Sequence, residues 1–302
     1  MALIPLIAAA AEVRERAAAV DGPRILKLWH LASLDAPTVA AVWAWALAWT
    51  AEVRPATGTM AALGLAVWAI YVVDRLLDAR TGLRSRERCA LKERHYFHWR
   101  HRWVLSALAA AAAAGAAWLV LPRVEAGALR PDSAVAAATL MYFGGVHGCS
   151  GWVRRLLRRV GALISREYAV GIIFAAGCAL PALTTGMHGR GDAMALVAPV
   201  CAFAALACLN VRAIACWEDG ARRGRRIARA ALLLAGFALA GAVALMAVET
   251  HAAAVLGAAA ASAGLLALLD RNRERMEAVT LRAAADLVLL TPLLVLLGLP
   301  GR

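Results

Sequence analysis

Long stretches without charge are the feature that most constrains this chain. Nine segments of mainly apolar residues are separated by short polar loops, and they lie at 37–53, 58–77, 103–122, 133–149, 166–186, 193–216, 227–248, 251–269 and 280–299. Segments of about 20 apolar residues are typical of helices that cross a lipid bilayer. We therefore expect an all-α polytopic membrane protein with nine transmembrane helices. The same pattern excludes a water-soluble enzyme, a disordered chain and a fibrous repeat.

The basic residues predict how these helices are oriented. Of the 33 Lys and Arg residues, 25 fall on one side of the predicted membrane and five on the other. Because Lys and Arg accumulate in cytoplasmic loops, we expect a cytoplasmic N-terminus and a C-terminus on the opposite side. The expected location is a cell membrane, the inner membrane in a bacterium. Since the net charge of +13 arises from these loops, we expect membrane lipids and no nucleic acid as partners.

No linker separates a second domain, so we expect residues 1–302 to form a single membrane domain. Residues 1–36 are expected to form an amphipathic cytoplasmic segment that lies on the membrane. Residues 78–102 are expected to form a cytoplasmic cap loop, and residues 217–229 a second cytoplasmic loop. The six cysteines show neither a CxxC pair nor the spacing of metal ligands, and we expect free thiols that pack as small apolar groups.

Acidic residues close two of the predicted helices on the cytoplasmic side. The second helix ends in IYVVDRLLDAR, where Asp74 and Asp78 are four residues apart and share one face at roughly 6 Å. The sixth helix ends in LNVRAIACWEDG, where Asn210 and Glu218 are eight residues apart and also share a face, with Asp219 following. Acidic groups near membrane depth are costly, and they usually face a partner or a water-filled cavity.

Carboxylates in a basic surround predict a metal and phosphate site. Magnesium is usually bound by one or two carboxylates together with substrate phosphate oxygens, and arginine binds phosphate through a planar pair of donors. The arginines available for this role are Arg75, Arg80, Arg84, Arg166, Arg212 and Arg222. The structural alternative is a set of ordinary ion pairs at helix ends, which is the more frequent explanation of a single DRxxD. The presence of two acidic helix ends on one membrane face favours the functional interpretation.

Two further groups of polar residues leave alternatives open. Asp286 follows Arg282 by about one helical turn, so it either pairs with that arginine or faces a central cavity. The segment HYFHWRHR contains His95, His98 and His101. An interfacial segment that contacts anionic headgroups is favoured there over a metal site.

The nine-helix layout with two acidic helix ends resembles the UbiA superfamily of intramembrane prenyltransferases. Members of that family carry an NDxxDxxxD motif after helix two and a second aspartate-rich motif after helix six. The sequence DRLLD, with Asp74 and Asp78, is similar to the DRxxD of the first motif, while Ile70 and Tyr71 replace its leading Asn and Asp.

The second motif is also similar in part. Asn210 and Glu218 match its asparagine and last acid, whereas Val211 and Ile214 replace the acids between them. Arg166, at the start of the fifth helix, stands where a lysine is usual in the family.

The resemblance implies a helical bundle around a central cavity and an enzyme that transfers an isoprenyl group. The donor would be an allylic isoprenyl diphosphate, and the acceptor a small membrane-soluble molecule that is aromatic in much of the family. The implied cofactor is Mg²⁺, with the metal ligands Asp74, Asp78, Asn210 and Glu218. The implied catalytic residues are Asp74, Asp78 and Glu218. The residues expected to bind diphosphate are Arg75, Arg80, Arg166, Arg212 and Arg222, and those expected to line the cavity are Tyr71, Asn210, Asp219 and Asp286.

Two other functions stay open. The replaced acids also fit a catalytically degenerate protein of the same fold that binds a lipid, an isoprenoid or a protein partner. A secondary transporter would use Asp74, Glu218 and Asp286 to relay ions, but charges at one membrane face are not the mid-membrane arrangement expected of a transporter.

Overall fold

A computed structural model describes residues 24–84, 93–120, 166–185, 190–218 and 224–297, and every regular element among them is helical. We number the α-helices in chain order. They are α1 (Arg24–Leu31), α2 (Asp35–Thr50), α3 (Thr57–Arg84), α4 (Glu93–Arg100), α5 (Arg102–Val120), α6 (Arg166–Thr184), α7 (Arg190–Glu218), α8 (Gly224–Leu245), α9 (Thr250–Asn272), α10 (Ala278–Leu287) and α11 (Pro292–Leu297).

Six of these helices, α3 and α5 to α9, are long and apolar enough to cross a membrane. A seventh span results if α1 and α2, which meet at a bend of 87°, are counted as one. The described residues therefore support an integral membrane protein but do not confirm the predicted count of nine. The predicted fourth span, 133–149, lies outside the described residues, and the predicted ninth span is broken into α10, a short 3-10 turn and α11.

Helix α2 lies at the centre of the largest core. It is apolar on all sides, as expected of a helix surrounded by other helices. Trp43 is fully buried and stacks on Phe203 of α7, with ring centroids 4.0 Å apart and planes within 10°. The Trp43 indole Nε1 donates to the carbonyl oxygen of Leu289 at 2.9 Å. This contact fixes the break after α10 against the centre of the bundle.

Side-chain hydrogen bonds tie this break to α9. Ser262 Oγ of α9 donates to the carbonyl oxygen of Val288, in the break, at 2.8 Å. Thr291 Oγ1, at the end of the break, donates to the carbonyl oxygen of Ala258 in α9 at 2.7 Å. Non-helical backbone at membrane depth is tolerated only where protein groups provide such bonds, and proline is well suited to begin a helix, as it does in α11.

A buried carboxylate joins the ends of three further helices. Asp270 of α9 accepts hydrogen bonds from Trp217 Nε1 of α7 at 2.8 Å and from the backbone N–H of Ala228 in α8 at 3.0 Å. Arg273 neutralises its charge at 3.0 Å. Because Asp270 is only 3% exposed, each of these donors replaces water that the carboxylate lost on burial.

Helices α6 and α7 pack closely where Gly171 faces Cys208. A Cβ atom at Gly171 would lie 2.5–2.6 Å from the backbone N, Cα and Sγ of Cys208. Small residues at such positions are how membrane helices bring their backbones together.

The bend between α1 and α2 sends the chain back over the ends of α3 and α4. Ser33, in this turn, has a positive φ of 59°, a backbone conformation that non-glycine residues rarely adopt. Its hydroxyl lies 3.1 Å from Nε2 of the buried His98 on α4. The turn thus places the first residues of α2 beside the end of α3 that carries the predicted acidic motif.

Candidate functional site

The site begins with a buried carboxylate at the start of α2. Asp35 is 1% exposed, and its Oδ2 lies 2.6 Å from His30 Nδ1 and 3.1 Å from Arg75 Nη2. Arg75, on α3, also donates through Nη1 to the carbonyl oxygen of His30 at 2.6 Å. The guanidinium therefore holds the α1–α2 turn onto α3 while it neutralises Asp35. Arg75 was predicted from the sequence to bind diphosphate. In the structure its guanidinium group is bonded to Asp35 and to the carbonyl oxygen of His30 instead.

Helix α10 brings a second carboxylate to the same place. Asp286 Oδ1 accepts a hydrogen bond from Asn210 Nδ2 of α7 at 3.0 Å, and its Oδ2 lies 4.0 Å from His30 Nδ1. His30, Asp35 and Asp286 each place a potential ligand atom within 4.8 Å of the others. We call these three residues, together with Arg75 and Asn210, the inner cluster.

A cavity with largely apolar walls adjoins the inner cluster. Tyr71, Asn210 and Asp286 line it, which gathers three residues that the sequence analysis had assigned to a cavity. Its apolar lining includes Val39, Phe174 and Leu289. A polar group beside apolar walls suits an amphiphilic molecule better than a fully polar one.

A second group of charges lies toward the end of α7. Glu218 Oε1 accepts a hydrogen bond from Arg94 Nη1 of α4 at 3.0 Å, and the guanidinium of Arg282 contacts the same oxygen. Burial and the charge of Arg75 lower the pKa of Arg94 to about 10, against the opposing charges of Asp78 and Asp74. We call Glu218, Arg94, Arg282, Asp74 and Asp78 the outer cluster. Arg94 thus bonds to the acidic end of α7 and lies close enough to Asp74 and Asp78 on α3 to be influenced by their charges.

The four predicted metal ligands do not converge on one ion. Asn210 belongs to the inner cluster and Glu218 to the outer one, and eight residues of α-helix separate them by about 12 Å. Ligand atoms of a single Mg²⁺ lie about 2 Å from the ion, so this separation is too large for both residues to bind it. Asp74 and Asp78 remain together on one face of α3, half-buried, and two carboxylates suffice for Mg²⁺ when a substrate provides phosphate oxygens.

The remaining predicted residues lie apart from both clusters or outside the description. Arg212 is exposed and donates to the hydroxyl of Tyr168 at 2.8 Å. Arg80 is exposed near the end of α3. Asp219 and Arg222 lie outside the described residues, as does the side chain of Arg166.

Sequence reasoning missed His30, Asp35 and Arg94. His30 and Asp35 fall in the segment that was expected to lie on the membrane surface, yet both are at least 95% buried. A carboxylate immediately before an uncharged span was the available signal, since such a group needs a partner when the helix is buried. Arg94 was one of eight basic residues in the predicted cap loop, and nothing in the sequence distinguishes it from the others.

Among the described residues the two clusters contain three guanidinium groups and five carboxyl groups. The guanidinium groups belong to Arg75, Arg94 and Arg282, and the carboxyl groups to Asp35, Asp74, Asp78, Glu218 and Asp286.

Comparison of the chain with protein-family models, curated proteins and solved structures finds no match.

Proposed function

We propose that this protein is an intramembrane prenyltransferase that moves an isoprenyl group from an allylic diphosphate to a small lipophilic acceptor of the aromatic class with the help of Mg²⁺. The observation that carries the proposal is the meeting of carboxylates and arginines from α2, α3, α4, α7 and α10 beside a cavity with apolar walls. The resemblance of DRLLD to the first UbiA motif supports the same conclusion.

The outer cluster is suited to the diphosphate end of the donor. Asp74 and Asp78 would hold Mg²⁺, whose role when bound is to neutralise the departing diphosphate. Arg94 and Arg282 share a carboxylate oxygen of Glu218, and either can exchange that contact for a phosphate oxygen. Because carboxylates repel a bare diphosphate, binding beside Asp74 and Asp78 should require the divalent ion.

The cavity marks the place where the isoprenyl chain and the allylic cation would lie when the C–O bond breaks. At about 20 Å³ it has room for about one water molecule, so the helices that line it would have to move apart to admit the chain. Its aliphatic lining, Val39 and Leu289 among it, excludes water that would otherwise capture the cation. The ring of Phe174 offers a π face that stabilises positive charge. The acceptor nucleophile then forms the new C–C or C–O bond and loses a proton, and diphosphate is the leaving group.

The expected orientation follows from the arginine-rich loops. The outer cluster lies at the ends of α3 and α7 that run into these loops, so the proposed site opens toward the cytoplasm. In a bacterium this places the diphosphate-binding end at the inner face of the inner membrane.

The test is a diphosphate-release assay with purified protein in lipid nanodiscs. The protein is incubated with radiolabelled allylic isoprenyl diphosphates, Mg²⁺ and a lipid extract that provides acceptors. We expect Mg²⁺-dependent release of diphosphate and a labelled lipophilic product, and we expect D78N to lose at least about 100-fold of the rate, the scale for removing a group that stabilises developing charge. The control E274Q changes a carboxylate that is 86% exposed and should leave the rate unchanged. Equal rates for D78N and E274Q would contradict the proposal.

A second candidate function, binding of a lipid or isoprenoid without reaction, is favoured by the contacts of Glu218. Its carboxylate is already engaged by Arg94 and Arg282, which is also what a protein that binds an isoprenoid or lipid without reaction would show. That candidate predicts binding of the isoprenyl diphosphate with no product and no requirement for Mg²⁺. The same nanodisc preparation distinguishes the two, because ligand binding and product formation are measured on one sample with and without the ion.

A further inference from the structure

We propose that His30, Asp35 and Asp286, with the side-chain oxygen of Asn210, form a binding site for a divalent transition metal such as Zn²⁺ or Mn²⁺. This site lies in the inner cluster, and its ligands differ from Asp74 and Asp78, which would hold the proposed Mg²⁺. It does not depend on the proposed transferase reaction.

The ligand atoms need only small shifts to bind one ion. In a tetrahedral site with metal–ligand distances near 2.1 Å, neighbouring ligand atoms are about 3.4 Å apart. His30 Nδ1 is 2.6 Å from Asp35 Oδ2 and 4.0 Å from Asp286 Oδ2. These two distances bracket the required separation, so the first must open and the second must close by less than 1 Å. Rotamer adjustments of that size are within reach of the Asp and His side chains.

A buried polar atom supports a ligand at this place. Asn210 Oδ1 is buried without a hydrogen-bond partner among the described residues, and Asn210 is 4% exposed. Buried polar atoms are almost always satisfied. Asn210 already bonds to Asp286 through Nδ2, so rotation of its amide presents Oδ1 to an ion that Asp286 holds.

The inner cluster also contains a group that could support a bound ion from outside. The side chains of Asp35 and Arg75 are 1% and 9% exposed, and that of Asp286 is 19% exposed. Arg75 bonds to Asp35, and it would orient Asp35 from outside the coordination sphere of an ion, as hydrogen-bonded partners of ligating carboxylates do.

The donor set indicates the class of metal. One imidazole nitrogen with carboxylate and amide oxygens suits Zn²⁺ and Mn²⁺, whereas Ca²⁺ and Mg²⁺ take oxygen ligands. The ligands come from α1, α2, α7 and α10, which are far apart in the chain. A bound ion therefore ties the turn between α1 and α2 to the last part of the bundle.

The test measures metal content and stability of purified full-length protein from which any affinity tag has been removed. The protein is loaded with Zn²⁺ alone, desalted and analysed by elemental mass spectrometry, and Co²⁺ loading gives an absorption spectrum of the ligand field. We expect one equivalent of Zn²⁺ per chain in the wild type and at least about tenfold weaker binding in H30Q and D286N. Removing Zn²⁺ should lower the thermal midpoint of the wild type and leave that of H30Q unchanged.

The matched control is H101Q, because His101 is an exposed histidine on the segment between α4 and α5 and would capture adventitious metal. H101Q should bind Zn²⁺ like the wild type. The proposal is overturned if the wild type holds no stoichiometric metal, or if H101Q loses as much as H30Q. If D286N does not fold, the proposal is decided by metal binding of H30Q and by the Co²⁺ spectrum of the wild type. These readouts need no isoprenyl diphosphate, so failure of the transferase assay would not affect them.

Discussion

Replacing Glu218 by Gln tests whether the outer cluster holds α4, α7 and α10 together. The carboxylate is shared by Arg94 and Arg282, whose side chains are 19% and 7% exposed. Removal of one member of a buried ion pair costs about 3–5 kcal/mol because the other charge stays buried and uncompensated. Glu218 is itself 20% exposed, so water recovers part of that cost. We therefore expect E218Q to lower the free energy of unfolding by about 3 kcal/mol.

The assay is equilibrium unfolding in detergent micelles, followed by far-ultraviolet circular dichroism. E274Q is the matched control, because Glu274 also forms an ion pair with an arginine, Arg273, at 3.6 Å, but its side chain is 86% exposed. An exposed pair of this kind contributes less than about 1 kcal/mol.

A second substitution distinguishes the loss of the contact with Glu218 from the cost of leaving the charge of Arg282 buried without a partner. Adding R282M to E218Q removes the more buried guanidinium, so the double variant should be more stable than E218Q alone. A loss below about 1 kcal/mol in E218Q, or strictly additive effects of E218Q and R282M, would refute the reasoning.

Three further variants test other parts of the fold by the same unfolding assay. G171A should cost at least about 1–3 kcal/mol, because its Cβ would overlap Cys208, whereas G177A, with nothing within 4 Å of the new atom, should be neutral or slightly stabilising. D270N should cost about 2–3 kcal/mol, because an amide cannot accept three hydrogen bonds as the carboxylate does. Burial lowers the pKa of His98 to about 4, so the unfolded chain binds a proton first as the pH falls below about 6.5. Stability should therefore decrease between pH 6.5 and 4, and H98N should weaken that dependence.

Each of these three expectations has an outcome that contradicts it. Equal stability of G171A and G177A would show that α6 and α7 are not in contact at that point. A D270N protein as stable as the wild type would mean that the junction of α7, α8 and α9 does not depend on the carboxylate. An unchanged pH profile in H98N would assign the acid sensitivity to other groups.

The long helices and their membrane setting were predictable from the sequence. Uncharged apolar segments of sufficient length have one stable state in lipid, since every backbone polar group must be satisfied within the segment. Helix α7 extends two or three residues beyond the predicted sixth span at each end, whereas α3 begins one residue before the predicted second span and continues seven residues beyond it. The last predicted span was different, because Pro292 and the bonds from Trp43 and Ser262 stabilise a break that composition alone does not reveal.

The clusters were only partly predictable. Asp74 and Asp78 share a face because four residues make about one helical turn, a local property of the chain. The partners of Glu218 were not predictable, because Arg94 and Arg282 lie 124 and 64 residues away in the chain. For the same reason the sequence left open whether Asp286 pairs with Arg282 or faces a cavity; in the structure Arg282 contacts Glu218, and Asp286 bonds to Asn210.

What the amino-acid order determined by itself is therefore the helical, membrane-embedded character of the chain and the side chains that share a helix face. These follow from local hydrophobicity and helical periodicity. Only the tertiary structure decided that α1 and α10 meet, that His30 and Asp35 are buried with Asp286, and that Asn210 and Glu218 serve different clusters. Charge pairing across distant helices depends on which helices pack together, and that packing is set by the shapes of many small side chains acting jointly.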